Sequence, residues 1–337
     1  MSEQYKVAII GCGRRGDRHA RGYAQEERCT VAALADVDEE AAQNLFEEFD
    51  LDAEIYTDHR ELLRQEQPDI ASICLWTGLH LPVLRDCVEA GVKAVFCEKP
   101  MAPTWGECLE MAELARENDV QLTFCHQRRF LAGNQQVRRW LEDGMFGEIK
   151  RIQMFSPRNL LDCGTHSLDQ AFMFNRECPA QWVMGQIDAR EAPESFGIPR
   201  EHVALGYVRW ENGVRGVLEV GEDSEKPTGV RVIGSKGFLE VSWGGDVGPA
   251  ALYDDPEWSP PEFDDVDAMA LAVADNLDCL ESGEEPELSY QKALRASEVI
   301  FAIFESSRSR ARIRLPLRTR DSALLTMLQE KEIGPDA

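Results

Sequence analysis

The chain has 337 residues, 61 of them acidic against 36 basic, for a net charge of −25, which argues against nucleic acid or an anionic membrane as partner. Its 43% apolar and 29% charged content is ordinary for a soluble globular chain, and the length suggests about two domains. No apolar run approaches the roughly 20 residues of a membrane span.

The first strand begins by Tyr5 or Lys6, leaving no room for a signal peptide, so a cytoplasmic location is expected. Val7-Ala8-Ile9-Ile10 suits a strand buried on both faces, and Gly11-Cys12-Gly13-Arg14-Arg15-Gly16 follows without a gap. Asp17 to Ala24 reads as a helix. Thr30 to Ala35 reads as a second buried strand closed by Asp36, twenty residues after Gly16. This spacing is a dinucleotide fingerprint. The glycines permit a tight turn, close approach to a pyrophosphate and close helix packing, and the acid can accept from ribose hydroxyls. The expected cofactor-contacting residues are therefore Gly11, Cys12, Gly13, Arg14, Arg15, Gly16 and Asp36.

Helix and strand continue to alternate: a helix over Asp38–Phe49, a strand at Ile55-Tyr56, a helix over Asp58–Glu66 and a strand over Ile70–Leu75. The turn Trp76-Thr77-Gly78-Leu79-His80 opens a helix to Gly91, and the strand Ala94–Cys97 ends in Glu98-Lys99-Pro100. A capping box at Thr104 to Glu107 starts another helix, and Val120–Cys125 makes a sixth strand that leads to His126-Gln127-Arg128-Arg129-Phe130. Such alternation implies a doubly wound parallel sheet with ligands at the carboxyl ends of its strands. Trp76, Thr77, His80, Glu98 and Lys99 join the expected cofactor set on that ground.

From Ile149 the pattern changes to longer alternating strands: Ile149–Phe155, Ala180–Asp188, Val203–Trp210, Val214–Val220, Val230–Ile233 and Phe238–Val241. Gly-containing turns between them predict a largely antiparallel sheet. Gly244–Asp265 reads as an irregular acidic stretch with four prolines. Helices over Asp267–Glu281 and Tyr290–Arg308 and a short strand at Arg312–Leu315 follow. The implied division is 1–125 for a dinucleotide-binding domain, 126–148 for a transition, 149–317 for a substrate and oligomerisation domain, and 318–337 for a tail.

Inside the second half, Asp162 to Asp169, read as helical, would set Asp162, His166 and Asp169 on one face, an arrangement suited to an oriented acid/base pair. Arg128, Arg129 and Arg158 are candidates to meet an anionic substrate, against the commoner reading of solvated arginines. The ten cysteines form no C-x-x-C pair, so buried reduced thiols are expected and no metal site is read. Only 8 of the 36 cations are lysines, which makes Lys99 at a strand end more informative than usual, since a desolvated lysine can release a proton and an arginine cannot.

Taken together, the Gly11 to Gly16 loop, Ala35-Asp36, the Thr77 to His80 turn, Ala90-Gly91, Glu98-Lys99-Pro100, Arg129-Phe130, Asp162 to Asp169 and Gly234-Ser235-Lys236-Gly237 resemble the Gfo/Idh/MocA family of NAD(P)-dependent oxidoreductases, from Val7 to Leu317. The resemblance implies an N-terminal Rossmann domain and a C-terminal α/β domain whose open sheet often mediates oligomers, here a dimer or tetramer. It assigns catalysis to Lys99 of E-K-P and to Asp162 and His166 of D-x-x-x-H. One departure is that only Ser156 to Leu161 stands where typical members carry a longer glycine-rich loop. The expected activity is an NAD-dependent dehydrogenase on a sugar, polyol or related alcohol. An NAD-dependent glycoside hydrolase or a non-catalytic nucleotide-binding regulator are the alternatives. NAD is expected over NADP, because Asp36 would repel a 2′-phosphate and Val37 offers no cation.

Overall fold

The computed structural model describes residues 4–222, 224 and 226–335, which group into two compact units. The first comprises residues up to Ala102, Glu107–Gln127 and Asp267–Ala293. Its strands are β1 (Tyr5–Ile10), β2 (Cys29–Ala35), β3 (Glu54–Tyr56), β4 (Ile70–Ile73), β5 (Ala94–Cys97) and β6 (Gln121–Phe124). Between them run α1 (Arg14–Tyr23), α2 (Glu39–Glu48), α3 (His59–Glu66), α4 (His80–Glu89) and α5 (Trp105–Glu117). All strand pairings are parallel, in the order β3-β2-β1-β4-β5-β6.

That order has a physical basis in the sequence. Val7 to Ile10, Ile70 to Ile73 and Ala94 to Cys97 are buried throughout, as central parallel strands covered on both faces must be. Asp38 and Asp58 cap α2 and α3 by accepting from the backbone N–H groups of Glu40 and Arg60. The chain reverses its direction of travel across the sheet beside β1, so the ends of β1 and β4 form the switch point where such sheets bind ligands.

The second unit comprises Pro103–Gly106, Arg128–Val266 and Leu294–Ala337. It begins with α6 (Ala132–Glu142), β7 (Ile149–Ser156) and α7 (Thr165–Phe174), followed by β8 (Ala180–Asp188) and a two-stranded ribbon, β9 (Glu194–Ser195) and β10 (Ile198–Pro199). The sheet continues through β11 (Val203–Trp210), β12 (Arg215–Gly221), β13 (Gly229–Gly234), β14 (Gly237–Ser242) and β15 (Val247–Leu252). After α8 (Ala268–Ser282) and α9 (Tyr290–Ser309) come β16 (Ile313–Arg314) and α10 (Ala323–Gln329). The eight-stranded order is β15-β14-β13-β7-β12-β11-β8-β16, antiparallel except for β7 with β12. The α/β class with a Rossmann sheet and a mostly antiparallel second sheet is as the sequence predicts.

One face of this sheet is packed. Side chains such as Val183, Val208, Leu218, Val232 and Val241 are fully buried, each stabilising by roughly 1.5–3 kcal/mol. Gly185 and Gly206 let α9 approach, since a Cβ at either would stand within 3 Å of Ile303. The other face leaves Met184, Leu205 and Val217 exposed, with Trp182 stacked on Tyr207 at 5.4 Å.

Three differences from the sequence reading have local causes. Val247–Leu252, inside the stretch read as irregular, is an edge strand on β14, where Pro249 removes no ladder hydrogen bond from a second neighbour. The tail carries α10, held by buried Leu324 and Met327. The helix expected from Asp162 begins as a π-turn over Leu160–Gly164, with Gly164 N–H donating to Asn159 O. In addition, α8 clusters with the first unit although it follows the second sheet in sequence; Gly22 on α1 admits it, because a Cβ there would meet Met269 at 2.8 Å. All ten cysteines are free thiols.

Candidate functional site

In the first unit the glycine loop leaves β1 at Gly11, whose φ of +97° favours glycine and whose Cβ would stand 2.6 Å from Cys74 O. A Cβ at Gly16 would meet Gly11 O at 2.3 Å, so strand and helix pack too closely for a side chain. Gly13 is the opposite case. Nothing lies within 4 Å of its Cβ position, and as the first residue before α1 it supplies no side-chain cap. The first N–H groups of α1 therefore sit behind an open glycine, the arrangement a pyrophosphate requires. Asp36 is fixed against this loop: its Oδ2 accepts from Cys12 N–H at 2.7 Å and its Oδ1 from Asp38 N–H at 3.0 Å. The residues fit a dinucleotide.

Of the remaining expected cofactor residues, Arg14 and Arg15 open α1 and the others follow the ends of β4 and β5. Arg14 is exposed, while Arg15 lies 3.6 Å from Glu98. Trp76 is exposed and Thr77 buried. His80 is buried, its Nδ1 3.2 Å from Met101 O and its Nε2 3.0 Å from Leu75 O, so both ring nitrogens face backbone carbonyls. Burial pushes its pKa below the ordinary histidine value. Glu98 and Lys99 are both buried, and Glu98 Oε2 accepts from the Lys99 backbone N–H at 3.2 Å. Burial alone would raise the Glu98 pKa; a contact with His19 and the charges of Arg15 and Lys99 outweigh it and bring it down to about 2.

In the second unit the π-turn carries Asp162 and leads directly into the first turn of α7, which carries His166. Asn159 caps the turn by accepting from Asp162 N–H at 2.9 Å. Asp162 Oδ2 lies 3.4 Å from Arg158, whose side chain is largely exposed. His166 stands edge-on to the Trp243 ring, centroids 5.1 Å apart at 88°, and Arg128 covers the same indole while donating to Trp243 O. Thus Arg128 and His166 share one aromatic neighbour.

Asp169 does not belong to this group. It receives Arg129 through two bonds of 2.8 Å, and Arg129 also donates to Glu177 at 2.6 Å, which in turn accepts from Arg295 at 2.9 Å. Arg129, only 1% exposed, is not solvated and donates to these two carboxylates. His166 and Asp169 stand three residues apart within α7, while Asp162 lies in the preceding π-turn and the Asp169 carboxylate is taken up by Arg129.

Three residues escaped the sequence reading. Trp243 follows β14 with no periodic signal. Glu201 looks like an ordinary loop acid between Arg200 and His202, yet it is fully buried, with Oε1 accepting from Leu160 N–H at 2.6 Å at the start of the π-turn. Burial pushes its pKa up to about 7. His19, three residues after Gly16, carries no signal of its own in the helix that follows the glycine loop, yet it is fully buried.

Residues 5–126 match the family described as "oxidoreductase family, NAD-binding Rossmann fold". The D-glucoside 3-dehydrogenase of Escherichia coli is 31% identical over 192 residues, 50% of this chain and 54% of that protein. The chain thus spans about half the length of that relative. The D-apiose dehydrogenase of Paraburkholderia graminis is 24% identical over 91% of this chain and 88% of its own. Among solved structures, the WlbA dehydrogenase from Bordetella pertussis, in complex with NADH and UDP-GlcNAcA, superposes with a TM-score of 0.79 at 22% identity, over 94% of this chain and 99% of that one, a likeness of fold. Residues 5–126, with the glycine loop and its anchored acid in place, thus match the NAD-binding Rossmann fold of the Gfo/Idh/MocA oxidoreductase family.

Proposed function

We propose that the protein is an NAD-dependent dehydrogenase that oxidises a CH–OH group of a sugar, polyol or related alcohol. The observation that carries this reading is the open glycine loop with Asp36 fixed beside it, in a chain whose relatives are named as dehydrogenases of a glucoside, apiose and inositol. NAD supplies the hydride acceptor when bound. The proposal assigns Lys99, Asp162 and His166 to the movement of the hydroxyl proton: His166 as the base, Asp162 as the group that orients it and favours its charged form, and Lys99 as the ammonium that stabilises the developing alkoxide or relays the proton. The two roles of His166 and Lys99 are exchangeable. Arg128 and Arg158 are assigned to an anionic group on the substrate.

A panel of D-glucosides, D-apiose, myo-inositol and related polyols, followed by NADH absorbance, tests this. NADH formation with at least one member is expected; release of an aglycone without net NADH would favour a glycoside hydrolase, and NAD binding without either reaction a regulator.

Cofactor preference follows from charge. Asp36 is held in place by two backbone N–H groups, Val37 is 92% exposed and carries no cation, and Asp38, Glu39 and Glu40 add negative field. NAD should bind at least about tenfold tighter than NADP, roughly 1.4 kcal/mol. Equal or tighter NADP affinity in a calorimetric titration would contradict it, with exposed Arg14 the first residue to suspect.

The protein is also proposed to form a dimer or tetramer through the open face of the second sheet, where Met184, Leu205, Val217 and the stacked Trp182 and Tyr207 present apolar surface. Light scattering at micromolar concentration should give a multiple of 38.0 kDa. Leu205→Lys should shift it towards the monomer. A monomeric parent protein would remove the proposal. No helix among the described residues is long and apolar enough to cross a membrane.

A further inference from the structure

The first unit contains a buried polar chain that the proposed reaction does not use. Tyr23 and His19 stand one turn apart on α1, and Ser72 on β4 lies against both: Tyr23 Oη is 2.9 Å from Ser72 Oγ, which is 3.0 Å from His19 Nδ1. The other ring nitrogen, Nε2, faces Glu98 Oε1 at 3.6 Å, and the imidazole packs on Phe96 at 4.5 Å. His19 and Ser72 are fully buried and Glu98 nearly so.

Counting protons gives the chain a direction. The Tyr23 hydroxyl has Ser72 Oγ as its hydrogen-bond partner, and burial pushes its pKa far up, so it remains a phenol. If Ser72 donated to Tyr23, the phenolic proton would be left buried without an acceptor. The satisfied arrangement is Tyr23 O–H to Ser72 Oγ, then Ser72 O–H to His19 Nδ1. A neutral imidazole that accepts at Nδ1 carries its proton on Nε2, the nitrogen aimed at Glu98. Donors running one way polarise one another, and they leave the Nε2–H facing the carboxylate at 3.6 Å, beyond hydrogen-bond length, with neither Nε2 nor Glu98 Oε1 hydrogen-bonded elsewhere.

We propose that His19 is a positioning residue for Lys99: its Nε2–H, oriented by Ser72 and Tyr23, holds the Glu98 carboxylate, whose other oxygen fastens the Lys99 backbone N–H. The inference rests on the reading that Lys99 takes part in the reaction. A metal is the competing account, because His19, Glu98 and Cys125 offer ligand atoms within 4.8 Å of one another. Two cations already serve Glu98, Arg15 at 3.6 Å and Lys99 next in the chain, and burial pushes the Cys125 thiol well above its ordinary pKa, away from the thiolate a metal needs.

The test compares His19→Leu, His19→Gln and Ser72→Ala with the parent and with Lys99→Met, using the panel alcohol turned over fastest. His19→Leu should lower kcat at least about tenfold with KM and NAD affinity little changed, the pattern of an interaction lost from the reaction step. His19→Gln, whose amide can donate from nearly the same place, should recover most of that loss. Ser72→Ala, which leaves the tautomer unset, should fall between them. Nitrogen NMR of the imidazole should show the proton on Nε2 in the parent. Full kcat in His19→Leu, no rescue by Gln, or a proton on Nδ1 would each overturn the proposal. So would one equivalent of bound transition metal that His19→Leu loses. If His19→Leu fails to fold, Gln and Ser72→Ala decide. A parent with no turnover on the panel, or an unimpaired Lys99→Met, refutes the dehydrogenase reading instead, while the NMR and metal measurements still judge the His19 chain.

Discussion

Replacing Lys99 by Met, or His166 by Asn, is expected to lower turnover at least about 100-fold while NAD affinity stays within a few-fold of the parent. Hydride leaves a carbinol carbon only as the hydroxyl proton is withdrawn, so the reaction needs a proton acceptor and a positive charge for the developing alkoxide. Lys99 and His166 are both buried, where an ammonium or imidazole acts with little competition from water. Met keeps the apolar stem of Lys99 and removes only the ammonium; Asn keeps a polar group at 166 and removes the titratable ring. Neither substitution touches the glycine loop or Asp36, which hold the adenosine side of the cofactor in this account. Steady-state kinetics beside a fluorescence titration of NADH separates the two effects. Near-normal turnover in either variant would remove that residue from the chemistry.

The largest stability effect should come from a residue outside the reaction. Arg129→Met is expected to cost about 3–5 kcal/mol, because it strips the buried Asp169 carboxylate of both its 2.8 Å guanidinium bonds. Glu177 keeps Arg295 at 2.9 Å, so the damage concentrates on Asp169. The double variant Arg129→Met with Asp169→Leu should regain much of the loss, since an apolar pair of similar volume can replace a buried ion pair. Urea unfolding followed by fluorescence checks both. A single variant within about 1 kcal/mol of the parent would show that the pair contributes no more than a solvated one.

The first unit was legible because its rules are local. Val7 to Asp36 states a strand, a glycine turn, a helix and a closing acid in consecutive residues, and each glycine has its own steric reason in the fold. The helix around His166 was legible only in outline. Its periodicity shows, but the π-turn at Leu160–Gly164 depends on Asn159 and on Glu201, which arrives from 41 residues away. Trp243 beside His166, and the chain from Tyr23 to Glu98, likewise join positions distant in sequence. Arg129 shows the converse: an arginine next to the motif looked available to a ligand, and its buried partner 40 residues on is what fixes its role. Val247–Leu252 escaped because four prolines and many acids outweighed a short apolar stretch that only an edge position tolerates.

The most direct measurement follows the hydrogen itself. A panel alcohol that supports NADH formation, deuterated at the carbinol carbon being oxidised, is mixed with the protein and NAD, and the cofactor is analysed by mass spectrometry after a single turnover. The account predicts deuterium in the reduced nicotinamide, and its near-absence when Lys99→Met replaces the parent. A substrate converted by the parent with no deuterium reaching the cofactor would contradict it.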